Sequence, residues 1–148
     1  MTVAITCRTR PGKISPPRLQ RKAQKILRLL RKKRVELSLV LVGNREIRRL
    51  NARYRKKNRP TDVLAFQTNG LPSVGDRILG DVVISVEQAK KQAKEKGTAL
   101  EVELETLLIH GILHLLGYDH ERSEREAGIM HRLERKLQSA LSRPRLGV

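Results

Sequence analysis

The feature that most constrains this chain is an apolar stretch from Leu100 that ends in His110-Gly111-Ile112-Leu113-His114-Leu115-Leu116-Gly117-Tyr118-Asp119-His120. Three of the protein's four histidines fall in that final string. Leu100, Leu104, Leu107, Leu108 and Ile109 read as the buried positions of a central helix. His110 and His114 are four apart and therefore share one face of it. Gly117 lets the chain turn, and His120 can return toward that face. Two imidazoles on so apolar a helix are costly to bury without partners, and a shared metal ion removes that cost. Three neutral imidazoles leave a zinc ion one open position. Nickel, copper and iron also accept imidazole. The plain alternative is a structural histidine cluster. His131 has no partner at ligand spacing and reads as a surface residue or as support behind the ligands.

The rest of the chain must enclose that helix. With 148 residues, one domain spanning 1–148 is expected, with a loose tail at 142–148. The core is aliphatic, since there are one Phe, two Tyr and no Trp. So few aromatics argue against extensive base stacking. Thirty-two Lys and Arg oppose fifteen Asp and Glu, a formal charge of +17. Such an imbalance speaks about partners, with nucleic acid first and an anionic membrane surface second. No apolar run reaches transmembrane length, and the start lacks the apolar region of a signal peptide. The lone Cys7 cannot form an internal disulfide, which suits a reducing cytoplasm. Beside Val3 and Ile5 it reads as core.

Strands are expected at 3–8, 35–42, 61–68 and 78–85. Asn69-Gly70 is a turn in a long connection that leaves open whether the last two strands pair antiparallel. Ser15-Pro16 opens a helix with Leu19, Ala23, Ile26, Leu27 and Leu30 on one face. Its basic opposite face is either solvated or turned to RNA. Asn44 reads as the cap of a second helix, with Ile47, Leu50 and Tyr54 inward. Ser85 with Gln88, and Thr98 with Glu101, fit capping boxes for the next two, the first stopping at Gly97. A last helix spans 122–141, with Ala127, Met130, Leu133 and Leu137 inward. Strands mix with helices at short intervals, so the class is α+β or α/β, a small sheet backed by helices.

The residue after His110 bears on the chemistry. The spacing resembles the His-x3-His-x2-Gly-x2-His arrangement of metzincin proteases, but a zinc peptidase of the His-Glu-x-x-His type has its general base where this chain has Gly111. Peptide hydrolysis is therefore disfavoured, and the glycine leaves space beside the metal for a bulkier phosphodiester. Phosphoryl transfer also calls for cations on the non-bridging oxygens. The densest basic stretch, Arg53-Tyr54-Arg55-Lys56-Lys57-Asn58-Arg59, supplies them. Guanidinium matches phosphate geometry, so Arg55 and Arg59, with Lys56 between them, are the candidate substrate-binding residues. An ordinary charged surface is the alternative.

These segments together resemble the YbeY endoribonucleases, a family of rRNA maturation factors. The resemblance rests on His110 through His120, on Asn51-Ala52-Arg53-Tyr54-Arg55 followed by Pro60-Thr61-Asp62-Val63-Leu64-Ala65-Phe66, and on Leu79-Gly80-Asp81-Val82-Val83-Ile84-Ser85. It implies an α+β fold, a small mixed four-stranded sheet packed with helices, with the metal site at the end of a central helix, and a zinc-dependent, single-strand-specific endoribonuclease. The implied role is processing of the 3′ end of small-subunit ribosomal RNA and ribosome quality control. It also implies one zinc per chain on His110, His114 and His120, catalytic roles for Arg55 and His114, and single-stranded RNA, ribosomal RNA and the small ribosomal subunit as partners. Two positions depart from the family pattern: Ala65 replaces a usual serine and Gln67 a frequent proline. Asp62 and Asp81 each stand at the start of a Val-rich strand as either turn caps or cleft residues, and Asp119 adjoins a candidate ligand.

Three readings compete. The first is the metal-dependent ribonuclease, with water or the substrate's 2′-hydroxyl attacking phosphorus. The second is an RNA- and ribosome-binding assembly factor with a mainly structural zinc. The third is a metallopeptidase, which Gly111 and the charge oppose.

Overall fold

The structure, a computed structural model, describes residues 1–67, 77–118, 121 and 123–142. The expected Asn69-Gly70 turn, His120 and Asp119 lie outside the described residues. Of the expected tail, Ser142 closes the last helix and 143–148 lie outside.

Four strands, β1 (Thr2–Cys7), β2 (Val35–Val42), β3 (Val63–Gln67) and β4 (Arg77–Ser85), form one sheet in the order β1-β2-β4-β3. β1 and β4 run parallel to β2, while β3 runs antiparallel to β4 at the edge. That settles the open question of the last pair. The crossovers are helices: α1 (Pro16–Leu29) between β1 and β2, and α2 (Asn44–Arg55) between β2 and β3. α3 (Val86–Lys96), α4 (Leu100–Leu115) and α5 (Glu124–Ser142) follow β4.

The period of two in the strands sorts the layers. Val35, Leu37, Leu39 and Leu41 of β2, with Val82 and Ile84 of β4, join the large core with α1, α4 and Met130 and Leu137 of α5. Val42, Leu64 and Val83 on the other face pack with Ile47 of α2 in a smaller one. Helices thus cover both faces, and α4, apolar almost all round, is the central one, as such a helix must be. One strand position admits only glycine. Leu79 is an extra residue against β2, since Glu36 pairs with Ile78 and Leu37 with Gly80. Gly80 there has φ +130°, and a Cβ on it would overlap the Phe66 carbonyl oxygen.

Several local expectations are corrected. Cys7 is exposed, not core. It shares a strand face with buried Val3 and half-buried Ile5, so the cover over edge strand β1 thins toward its end. The cap of α2 is Gly43, and Asn44 is the first helical residue. The Asn44 N–H donates to Glu87 Oε1 at 3.0 Å, so a carboxylate from another helix serves the helix N-terminus. Only half of the Ser85 box forms: Ser85 Oγ accepts from the Gln88 N–H, while the Ser85 N–H donates to the Asp62 carbonyl. The Thr98 box does not form, because α4 starts after Ala99 without a side-chain cap. Tyr54 is 57% exposed rather than inward.

Candidate active site

The site wraps around the edge strand β3. α2 covers one face of the sheet and α4 the other, and their C-terminal ends meet across this strand. A cavity of about 140 Å³ there is lined by His110, Gly111 and His114 from α4, by Asn51 and Arg55 from α2, by Lys57, Arg59 and Thr61 from the loop that follows, and by β3.

The two histidines sit as their spacing predicts, half-buried on one face of the last two turns of α4. Their rings meet edge to face with centroids 4.6 Å apart. His110 Nε2 lies 3.1 Å from His114 Nε2. At that distance the two nitrogens share one proton or turn their lone pairs on one cation. Two ligands at Zn–N distances of about 2.0–2.1 Å in a tetrahedral site stand roughly 3.3 Å apart, so the donor pair fits a zinc ion. Among the described residues no group of three His, Cys, Asp or Glu side chains gathers around a point. The third expected ligand, His120, lies outside those residues. Gly117, with φ +95°, ends α4 as the turn requires.

Gly111 is buried, and a Cβ on it would lie 2.7 Å from Val82 Cγ1 and 3.4 Å from Val63 Cγ2. The expectation that this glycine leaves space for substrate is thereby corrected. Its missing side chain lets α4 press onto β4 and β3. The same contact leaves no place for the glutamate that a zinc peptidase carries here.

Of the basic residues, Arg55 and Arg59 line the cavity, and so does Lys57. Lys56 is not among its lining residues. It takes the left-handed conformation, φ +57°, that ends α2. Buried Asn51 organises this loop. Its backbone carbonyl accepts from the Lys57 N–H at 3.2 Å, and its side-chain Nδ2 donates to the Arg59 carbonyl at 2.9 Å. Arg48 Nε donates to Asn58 Oδ1 at 3.0 Å on the outer side. Sequence reading passed over Lys57 and Asn51 as lining residues. The available signal was an asparagine four residues after Ile47, on the inward face of its helix and just before a run of cations.

The aspartates separate. Asp62 Oδ1 accepts from the Val63 N–H at 2.8 Å, and Oδ2 from Gln92 Nε2 at 3.1 Å, so this carboxylate ties the start of β3 to α3. Asp81 neighbours Val82 and so points to the α2 face, away from the histidines, where it lines a groove with Ser38 and Val83. Gln67 donates from Nε2 to the Leu115 carbonyl at 3.0 Å, tying β3 to the C-terminal turn of α4 beside His114. Proline in that position has no such donor. His131 is a surface residue, with Nδ1 3.8 Å from Glu134 Oε1. Among the described residues no helix is long and apolar enough to cross a membrane.

The family described as "Endoribonuclease YbeY" matches residues 4–142. An Endoribonuclease YbeY of Aquifex aeolicus is 42% identical over 94% of this chain and 92% of its own length. That of Geobacter metallireducens is 43% identical over 97% of each. The fold is also similar to the solution structure of a Thermotoga maritima protein, with a TM-score of 0.66 and 30% identity over 93% of this chain and 87% of that one. With its sheet, its helix-borne histidine pair and its matched motifs, this chain belongs to the YbeY endoribonuclease family.

Proposed function

We propose that the protein is a zinc-dependent endoribonuclease that cuts single-stranded RNA in the maturation of the small-subunit ribosomal RNA 3′ end, in the cytoplasm, and acts there in ribosome quality control. The single observation that carries this reading is the convergence of the His110–His114 pair with three cations on one cavity at the edge of the sheet. Family membership supports the reaction class, and the +17 charge supports a polyanionic partner.

His110 and His114, with His120, would hold the metal. When bound, zinc supplies Lewis acidity toward a phosphoryl oxygen and lowers the pKa of water. The chain's own residues supply the rest. Arg55, Lys57 and Arg59 offset phosphate charge, with guanidinium geometry suited to paired oxygens. Asn51 keeps Lys57 and Arg59 in register by holding both ends of their loop. Gly111 sets the distance between the histidine helix and the strand below it. Arg55 and His114 line both this cavity and the groove beside it, which supports their assignment as the residues nearest the scissile phosphate.

The test is cleavage of defined single-stranded and duplex RNA by the zinc-loaded protein, beside a chelated sample and a His114→Ala preparation. Cutting of the single strand by the zinc-loaded parent alone supports the nuclease, and the product ends separate water attack from 2′-hydroxyl attack. Equal trace cleavage in all samples removes it. The assembly-factor reading, with zinc mainly structural, would then take its place.

A further inference from the structure

The protein contains three aromatic side chains, Tyr54, Phe66 and Tyr118. They come from the end of α2, from β3 and from the segment after α4. All three line one groove of about 440 Å³, which also takes in Arg55 and His114. The groove adjoins the histidine cavity, sharing Arg55, Ala65 and His114 with it. Its volume lies in the roughly 300–1,000 Å³ range of small-ligand clefts.

Phe66 and Tyr118 each lean partly buried against one of the two cores, whereas Tyr54 belongs to neither. Tyr54 is 57% exposed, the most exposed of the large apolar side chains among the described residues. It is nevertheless held in place. Its ring meets Phe66 edge-on at 5.2 Å, and Arg53 Cζ lies 5.3 Å from its centroid. A rigid, exposed ring beside phosphate-binding cations is the arrangement by which proteins hold unpaired bases.

We infer that the groove formed by Tyr54, Phe66 and Tyr118 is a nucleobase-stacking subsite that receives an unpaired base next to the phosphate held by Arg55. The inference rests on the reading of the site as an RNA-binding one and extends it to the source of single-strand selectivity. A base in a duplex has both faces stacked on its neighbours and cannot enter. It also revises the expectation drawn from composition: three rings are few for a whole protein but enough for one subsite.

The experiment is equilibrium binding by fluorescence anisotropy, using the zinc-loaded protein and a short 2′-O-methyl single strand that resists cleavage. A second strand has the same backbone with the bases removed. The parent should prefer the base-bearing strand by on the order of tenfold. Tyr54→Ala should lose that preference and bind the abasic strand as the parent does, and Tyr54→Phe should restore it. Arg55→Ala should weaken both strands alike. A parent without preference, or a Tyr54→Ala protein that keeps it or loses affinity equally for both strands, overturns the subsite while leaving RNA binding intact. A parent that binds neither strand overturns the underlying reading and the subsite with it.

Discussion

Gly111 and Val82 touch across the helix–sheet interface so closely that a Cβ on the glycine would lie 2.7 Å from Val82 Cγ1. This contact fixes how near the histidine helix stands to the edge of the sheet, and it predicts a stability coupling. Gly111→Ala gains up to about 1 kcal/mol in helix propensity and loses about 1–3 kcal/mol to overpacking. The net change should be destabilising. In a Val82→Ala background the same substitution should become neutral or stabilising. Chemical denaturation of the four proteins gives the coupling energy, and a coupling of zero would refute the contact. Gly111→Glu, which completes the peptidase motif, should fail to fold rather than acquire peptidase activity.

Zinc should stabilise the fold through the histidine pair. At a free concentration about 100 times its Kd, a ligand specific for the folded state adds about 2.7 kcal/mol. At roughly 2–4 °C per kcal/mol, that raises Tm by about 5–11 °C. Differential scanning calorimetry with and without zinc checks it. The rise should vanish on chelation and be absent in His114→Ala, and an equal rise in that variant would place the metal elsewhere.

The two neighbouring lysines should behave differently. Lys57 lines the histidine cavity, whereas Lys56 ends α2 and is absent from the lining. Lys57→Ala should weaken single-stranded RNA binding and flatten its salt dependence by about 0.7 in log–log slope, the value for one phosphate contact. Lys56→Ala should leave the slope near that of the parent. Titrations at several salt concentrations decide, and equal slopes for the two variants would argue against a separate role for Lys57.

A pH effect is expected where α1 meets α4. Lys22 Nζ lies 2.9 Å from Glu101 Oε1 and 2.8 Å from Glu105 Oε1. The Lys22 hydrogen bond and charge, with Arg18 nearby, hold the Glu101 carboxyl below the usual carboxylate range. Its contribution to stability is therefore complete above that range and is lost as pH falls through the lowered value. The contribution is small, because Glu101 is half exposed. Lys22→Met should return Glu101 to an ordinary titration, read by carboxyl NMR. It should also cost about 1–3 kcal/mol, because nearly buried Glu105 loses its partner. An unshifted Glu101 midpoint in the variant would refute the pairing.

Much of the architecture was legible because its determinants are local. The apolar period of two across Val35–Val42 and the helical spacing from Leu19 to Leu27 each name a buried face without reference to the rest of the chain. The caps were less legible. Asn44 and Thr98 carry side chains able to cap, but the Asn44 N–H donates to Glu87 from a different helix, and α4 begins after Ala99 with no side chain at its cap. Whether a polar group is satisfied locally depends on what folding brings beside it.

The sequence by itself determined that His110 and His114 share a face and that the chain turns at Gly117, since helical pitch and glycine's freedom of φ act over a few residues. Only the tertiary structure decided which cations join them. Arg55, Lys57 and Arg59 are separated from His110 by more than fifty residues, and they meet it because α2 and α4 flank the same edge strand. The same was true of Gly111 and of the aromatics. The partner that excludes a side chain from Gly111 is Val82, on another element. Three rings that composition marks as scarce become a groove only when β3 brings Tyr54 and Tyr118 to either side of Phe66. Contacts between distant segments are set by the packing of whole layers, and no local pattern encodes them.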